Sequence, residues 1–270
     1  MFQHKFRTGG AVLMDAMQLI RGLCALTVFV LGTVVGSFLN VCIYRIPLHI
    51  TVVKGRSFCP RCKKTLKWYD MFPVVSWLVL RGRCRFCGQP ISPRYPVIEA
   101  ANGLLWLLAW QSFGWQWAAA AACLSLSALL CAAMIDHDTG EIPDGISIFL
   151  LVLAGLAMLA PGYPVGRLAR LAGLAAVSLP MLVLAVWKGG FGGGDVKLCA
   201  AFGLLWGWQR SLLAALIAAV AGAAWGVVLL RRGAGGKTAF AFGPFLALGM
   251  AVAVLWGGGI IGWYLGLLGL

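Results

Sequence analysis

Apolar runs of about 20 residues recur along most of this chain, and each is long enough to cross the roughly 30 Å hydrocarbon core of a bilayer as an α-helix. In lipid every backbone N–H and C=O must be satisfied within the protein, so only helices or closed barrels can span. A barrel would show alternating segments of about ten residues. These runs are continuously apolar, so the chain is expected to be an all-α polytopic membrane protein. The apolar segments fall at 18–43, 97–113, 115–135, 145–160, 168–187, 196–209, 211–230 and 242–265, which predicts about eight transmembrane helices. Hydrophobic residues make up 61% of the 270 and charged residues only 11%, far from a soluble domain. Lys5 and Arg7 before the first run imitate a signal peptide, but the run continues through Gly36-Ser37-Phe38-Leu39-Asn40 with no small-residue cleavage site. It is read as an uncleaved first span.

The net charge of +14 does not point to nucleic acid. Eleven of the 22 Lys and Arg lie between Arg45 and Arg94, in the one long polar segment, and cytoplasmic loops of membrane proteins collect such charge. The expected organisation is a first helix within residues 1–43, a small cytoplasmic domain at 44–96 and a helical bundle at 97–270. With the N-terminus outside, segments 44–96, 136–144, 188–195 and 231–241 face the cytoplasm.

Within the polar segment, Cys59-Pro-Arg-Cys62 and Cys84-Arg-Phe-Cys87 form two CxxC pairs with 21 residues between them. Four thiolates so arranged match a tetrahedral structural zinc site. The segment holds too few apolar groups for a robust core, so metal binding would drive its folding. The site has no open ligand position, which makes it structural. The other five cysteines sit in apolar runs and read as small buried hydrophobes.

The chain has only eight acidic residues, and four crowd into Asp136-His137-Asp138-Thr139-Gly140-Glu141-Ile142-Pro143-Asp144. A fifth, Asp195, ends Gly192-Gly193-Gly194. An ionisable group bordering the membrane is costly and by default functional. The two spans between Asp144 and Asp195 bring the chain back to the same face, so the two motifs can meet. Two close carboxylates cannot both ionise, which is the chemistry of an aspartic peptidase. Asp138 and Glu141 read as members of a short polar turn. Asp144 reads either as a cap for the next helix or as a contributor to the site, and Glu99 reads as a first-turn carboxylate of a helix opened by Pro96.

Several motifs occur together in order: Gly36-Ser37-Phe38-Leu39-Asn40 with Tyr44-Arg45-Ile46-Pro47, the two CxxC pairs, Ile91-Ser92-Pro93-Arg94-Tyr95-Pro96 with Glu99, Ile142-Pro143-Asp144, Gly192-Gly193-Gly194-Asp195-Val196-Lys197, and Phe242-Gly243-Pro244-Phe245. In this the chain resembles the type IV prepilin peptidases, also called leader peptidase/N-methyltransferases. The resemblance implies a GxGD-type aspartic endopeptidase of the bacterial inner membrane with its active site facing the cytoplasm. Asp136 and Asp195 would be the catalytic pair, and Asp144, Gly192, Gly194, Lys197 and Glu99 supporting or substrate-binding positions. It further implies type IV prepilins or type II secretion pseudopilins as substrates, and S-adenosylmethionine as donor for N-methylation of the cut product. As the sizeable polar surface of the chain, segment 44–96 or the adjoining foot of the bundle is where such a charged donor is expected to dock, with Glu99 holding its sulfonium or the nascent amine. Apart from the resemblance, intramembrane acids also suit a proton- or cation-coupled transporter, which would place them nearer the membrane midplane.

Overall fold

The computed structural model describes residues 2–53, 55–59, 61–188, 192–233 and 240–269, with side chains from Asp15 onward. Ten α-helices account for nearly all of it: α1 (Phe2–Arg45), α2 (Val75–Val79), α3 (Arg94–Phe113), α4 (Trp117–Thr139), α5 (Asp144–Leu159), α6 (Arg167–Ala176), α7 (Ser178–Lys188), α8 (Gly193–Trp206), α9 (Trp208–Arg231) and α10 (Gly243–Leu267). Every apolar run named above is mainly helical, but the run 168–187 breaks at Val177 into α6 and α7, and the run 196–209 breaks at Gly207 between α8 and α9.

The number of spans is a different matter. Five helical segments are long and apolar enough to cross a membrane: Asp15–Arg45, Trp117–Thr139, Arg167–Trp187, Trp208–Arg231 and Gly243–Leu267. The chain is thus a multi-pass membrane protein, but eight full spans are not established. The 14 residues of α8 rise only about 21 Å, well short of the hydrocarbon thickness. The 16-residue α5 is apolar but also short. The 20-residue α3 carries buried Glu99 and Asn102 and is not among the five.

Tight packing of small residues holds the bundle. Gly32 and Gly36, spaced GxxxG on α1, let α3 approach until a Cβ on either glycine would lie 2.8 Å from the Cα of Gly103 or Glu99. Gly173 of α6 and Gly203 of α8 meet more closely still, since a Cβ on Gly203 would fall 1.9 Å from the Gly173 carbonyl oxygen. Polar side chains lock the same contacts. Asn102 donates to the Gly32 carbonyl at 2.7 Å and accepts from Ser127 at 2.8 Å, and Ser127 in turn accepts from the Trp106 indole at 2.9 Å. With no water in the bilayer to satisfy them, these groups must pair across helices. Leu126, Leu129, Leu150, Leu198, Phe202 and Met250 fill the core, while Leu23, Leu26, Val30, Val183, Leu216 and Val220 are exposed as the lipid-facing surface requires.

Residues 46–93 have no such core. Among the described residues they contain a 3₁₀ turn (Trp68–Met71), the five-residue α2 and two isolated bridges, Phe58 with Thr65 and Arg83 with Pro90.

Candidate active site

Asp136 lies in the last turn of α4, which runs four residues further than its apolar stretch and stops where Gly140, at φ 73°, donates its N–H back to the Asp136 carbonyl. The Asp136 side chain is buried, and its Oδ2 accepts the backbone N–H of Gly243 at 2.8 Å. Gly243 opens α10, so the positive end of that helix points at the carboxylate. The fit leaves no spare room: a Cβ on Gly243 would sit 2.6 Å from Asp136 Oδ2.

Asp195 occupies the first turn of α8, ahead of its apolar run. Its Oδ2 accepts the Gly192 N–H at 3.2 Å, and its own N–H donates to the Gly192 carbonyl. Burial pushes the Asp195 carboxyl up to about 6, and the neighbouring Asp136 charge adds to that rise. The two acidic motifs, 59 positions apart in the sequence, therefore share one site. Gly194 permits it, because a Cβ there would meet Ile142 at 3.0 Å, jamming α8 against the loop that leaves α4. Gly189, Gly190 and Phe191, which precede this loop, lie outside the described residues.

Asp144 is not a helix cap. Pro143 occupies the cap position and no side chain caps α5. Asp144 instead receives Lys197 of α8 at 2.7 and 2.9 Å, an exposed ion pair that ties α5 to α8 beside the dyad. Asp138 belongs to α4 rather than to a turn. Both of its oxygens accept Arg94, at 3.0 and 2.5 Å, linking α4 to the start of α3. Asp138 and Asp144 are thus neutralised within the fold, and Glu141 is the exposed acid of this motif with no ion-pair partner among the described residues.

Glu99 is not in the first turn of α3. It sits a turn further in, is buried, and accepts the Val74 N–H at 2.7 Å. Val74 has φ 60°, a rare conformation for a β-branched residue, so Glu99 helps hold a strained turn. Glu99 also lines a cavity of about 750 Å³ between the end of α1, the cysteine segment and the start of α3. Asp70, Asn40, Trp77 and Tyr95 line it too. Sequence reasoning gave Asp70 no role, although it is the sole acid among the charges from Arg45 to Arg94.

The Sγ atoms of Cys59, Cys62, Cys84 and Cys87 all lie within 4.8 Å of one another. A tetrahedron of thiolates about 2.3 Å from a zinc ion has edges of about 3.8 Å, and the Cys59–Cys87 pair is already at 4.0 Å. The two halves are alike: Lys63 N–H donates to the Cys59 carbonyl and Gly88 N–H to the Cys84 carbonyl, and each donor is itself the positive-φ residue that turns the chain back over its pair. The donor set therefore fits a tetrathiolate metal ion.

Comparison with known proteins gives the same ordering of parts. Residues 30–113 match the bacterial peptidase A24 N-terminal domain, and residues 123–227 match the type IV leader peptidase family. The chain is 38% identical to a prepilin leader peptidase/N-methyltransferase of Stutzerimonas stutzeri, over 90% of this chain and 93% of that protein. It is 40% identical to the protein of that name from Myxococcus xanthus, over 77% of this chain and 64% of the relative, and 39% identical to one from Burkholderia pseudomallei, over 84% of each. No solved structure matches. Nothing in these matches supports a transporter.

Proposed function

Since this chain belongs to the type IV leader peptidase family, we propose that it removes the basic leader from type IV prepilins or type II secretion pseudopilins and then methylates the new N-terminus. The work is done at the cytoplasmic face of a bacterial inner membrane, where the eleven-charge segment belongs by the positive-inside rule. The observation that carries the peptidase reading is the convergence of buried Asp136 and partly exposed Asp195 from separate helices onto one site.

Their unequal surroundings divide the labour. Each carboxylate accepts one backbone N–H at a helix head, but the bond to Asp136 is the shorter, 2.8 Å against 3.2 Å for Asp195, which favours the charge on Asp136 as the base that takes a proton from water. Asp195 keeps its proton and polarises the scissile carbonyl, supporting the charge that develops on its oxygen. That same proton then serves the leaving amine. The dyad titrates as one unit, so its pH profile reports the pair.

In the second reaction the free amine's lone pair attacks the methyl carbon of S-adenosylmethionine. The carbon–sulfur bond breaks, sulfur keeps its electrons, and the product ammonium gives up a proton. Segment 44–96, held together by zinc on its four cysteines, provides the polar surface on which a charged donor can dock, with Glu99 beside it. Asp144, Lys197, Gly192 and Gly194 shape the peptidase site around the dyad.

The test is cleavage of a prepilin by the purified, membrane-reconstituted protein. Asp136→Asn and Asp195→Asn should each abolish cleavage while leaving expression and membrane insertion intact. Substantial turnover by either variant would refute the dyad.

A further inference from the structure

The short helix α2 presents its apolar stripe outward, the reverse of what a water-facing domain needs. Val75, Leu78 and Val79 stand at i, i+3 and i+4, on one face of the helix, and are 58%, 61% and 71% exposed. The other face looks inward. There the Trp77 indole donates to the Ile91 carbonyl at 3.1 Å, and Ser76, Trp77 and Leu80 line the cavity. Just before α2, Trp68 and Phe72 are exposed as well, with their rings 5.9 Å apart. A contiguous apolar surface of this kind marks a face that meets something other than water.

The fold also fixes how deep that face sits. Val74, the residue before α2, donates its N–H to Glu99 at 2.7 Å. Glu99 lies five residues inside the start of α3, a rise of about 7 Å. It packs on Gly36 of α1, which lies nine residues, about 13 Å, in from the end of that helix at Arg45. The 31-residue stretch Asp15–Arg45 rises about 45 Å, the full thickness of a bilayer with its headgroups, so the headgroups take up about the last 7 Å at each end. Beside α1 and α3, then, α2 begins at the boundary between headgroups and acyl chains.

Charge decides what covers it. Residues 46–93 hold nine Lys and Arg against one acid, Asp70, which pairs with Arg85 at 2.8 Å. Exposed Lys63, Lys64 and Lys67 precede the apolar stretch and exposed Arg81 and Arg83 follow it, none with an acid partner among the described residues. Two copies of the chain meeting through this face would set those cations against their own images. A basic leader peptide would be repelled in the same way. Anionic headgroups suit the pattern, since long cationic side chains can reach phosphates while the apolar face between them sinks into the leaflet.

We propose that α2 is an interfacial anchor: its Val75, Leu78 and Val79 face is immersed in the acyl chains of the adjoining leaflet, and the flanking cations hold the phosphates of anionic phospholipids. The cysteine segment lies down on the membrane beside the bundle instead of standing free in water. This inference goes beyond the peptidase and methyl-transfer readings and rests on neither.

Photocrosslinking of the full-length protein tests this in vesicles of equal parts phosphatidylcholine and phosphatidylglycerol. Val79, and in a second variant Leu78, is replaced by p-benzoylphenylalanine, and the adducts are identified by mass spectrometry. Both side chains are exposed, so the fold should tolerate the probe, and zinc content equal to that of the unsubstituted protein checks it. Each probe should capture phospholipid at a yield comparable to the same probe at exposed Val30 within α1. Phosphatidylglycerol should be captured about fivefold over phosphatidylcholine, the preference that one cation near an anionic surface confers. Arg81→Gln combined with Arg83→Gln should lower that preference. Absence of lipid adducts at both positions overturns the inference, as do adducts to a second copy of the chain. Equal capture of the two lipids overturns the assignment of the cations to headgroup phosphates. The readout is a covalent lipid adduct, so failure of cleavage or of methyl transfer bears on the proposed function alone.

Discussion

Gly243→Ala is the sharpest probe of how the dyad is held. The added Cβ would lie 2.6 Å from Asp136 Oδ2, 2.9 Å from its Cγ and 3.0 Å from its Cβ. All three are inside normal contact distance, so the carboxylate must swing aside. It then loses the 2.8 Å bond from the Gly243 N–H, a hydrogen bond to a charged group worth about 1.5–3 kcal/mol. If half or more of that stabilises the transition state, kcat falls about 4- to 150-fold, and displacement of the base by even about 1 Å can add a further hundredfold. The three nearest contacts are all with the Asp136 side chain, its Cβ only at 3.0 Å, so a shift of a few tenths of an ångström between α4 and α10 accommodates the rest and the bundle should still assemble. Prepilin cleavage in proteoliposomes should be slowed at least tenfold with KM little changed. Methylation of a pilin supplied already cut should proceed normally, because Gly243 lies apart from segment 44–96, on which the donor is proposed to dock, and does not line the cavity beside it. Cleavage at the wild-type rate would refute the placement of Asp136 against the head of α10.

Three further expectations follow from the same geometry. The purified protein should carry one zinc ion per chain, lost in Cys59→Ser or Cys84→Ser, and limited proteolysis should then cut within residues 46–93, where little but the metal holds the chain. Because Asp195 must be protonated and Asp136 ionised, kcat/KM should be bell-shaped: it should fall about tenfold per unit above about pH 6, where Asp195 loses its proton, and fall again in acid as Asp136 gains one, so a flat profile from pH 5 to 9 would rule out the acid role of Asp195. In a double-mutant cycle, Arg94→Ala and Asp138→Ala should couple by no more than about 1 kcal/mol in stability, since both side chains are about a third exposed, and stronger coupling would mean the pair is desolvated in the membrane-bound protein.

The helices were legible because continuous apolarity is a local signal, though the breaks at Val177 and Gly207 inside two of the expected runs were not. Whether a helix spans was less legible, because α8 ends at Gly207 and α5 at Ala160 for reasons of packing that hydropathy alone does not carry. The cysteine cluster was plain from spacing, since the knuckles close within a few residues of each pair. The dyad's partners were hidden. Asp136 meets Gly243 across 107 positions, Lys197 meets Asp144 across 53, and Arg94 meets Asp138 across 44. No periodicity links such residues; only the order of motifs placed Phe242-Gly243-Pro244 in the same family pattern. Asp144 was misjudged as a possible cap because Pro143 takes that place. Asp70 left one overlooked clue: a lone acid in a strongly basic segment has a reason to be there.

The dyad is asymmetric in how it is built, and the asymmetry explains why a glycine-rich loop belongs beside it. Removing a carboxylate from water costs several kcal/mol unless fixed donors replace the solvent. Asp136 obtains its donor from another helix, so its position is set by the packing of α4 against α10 and does not depend on the loop. Asp195 obtains its donor from Gly192, three residues back in its own loop, and stays partly exposed. An extended peptide must enter between the two carboxylates, and one wall has to yield. Among the described residues the Asp195 carboxyl is held by one backbone bond, the 3.2 Å contact from the Gly192 N–H. On the proposed mechanism, a turn of the Asp195 side chain away from the Gly192 N–H would bring its proton toward the scissile carbonyl, while Asp136 and the head of α10 would keep the base where the water must be.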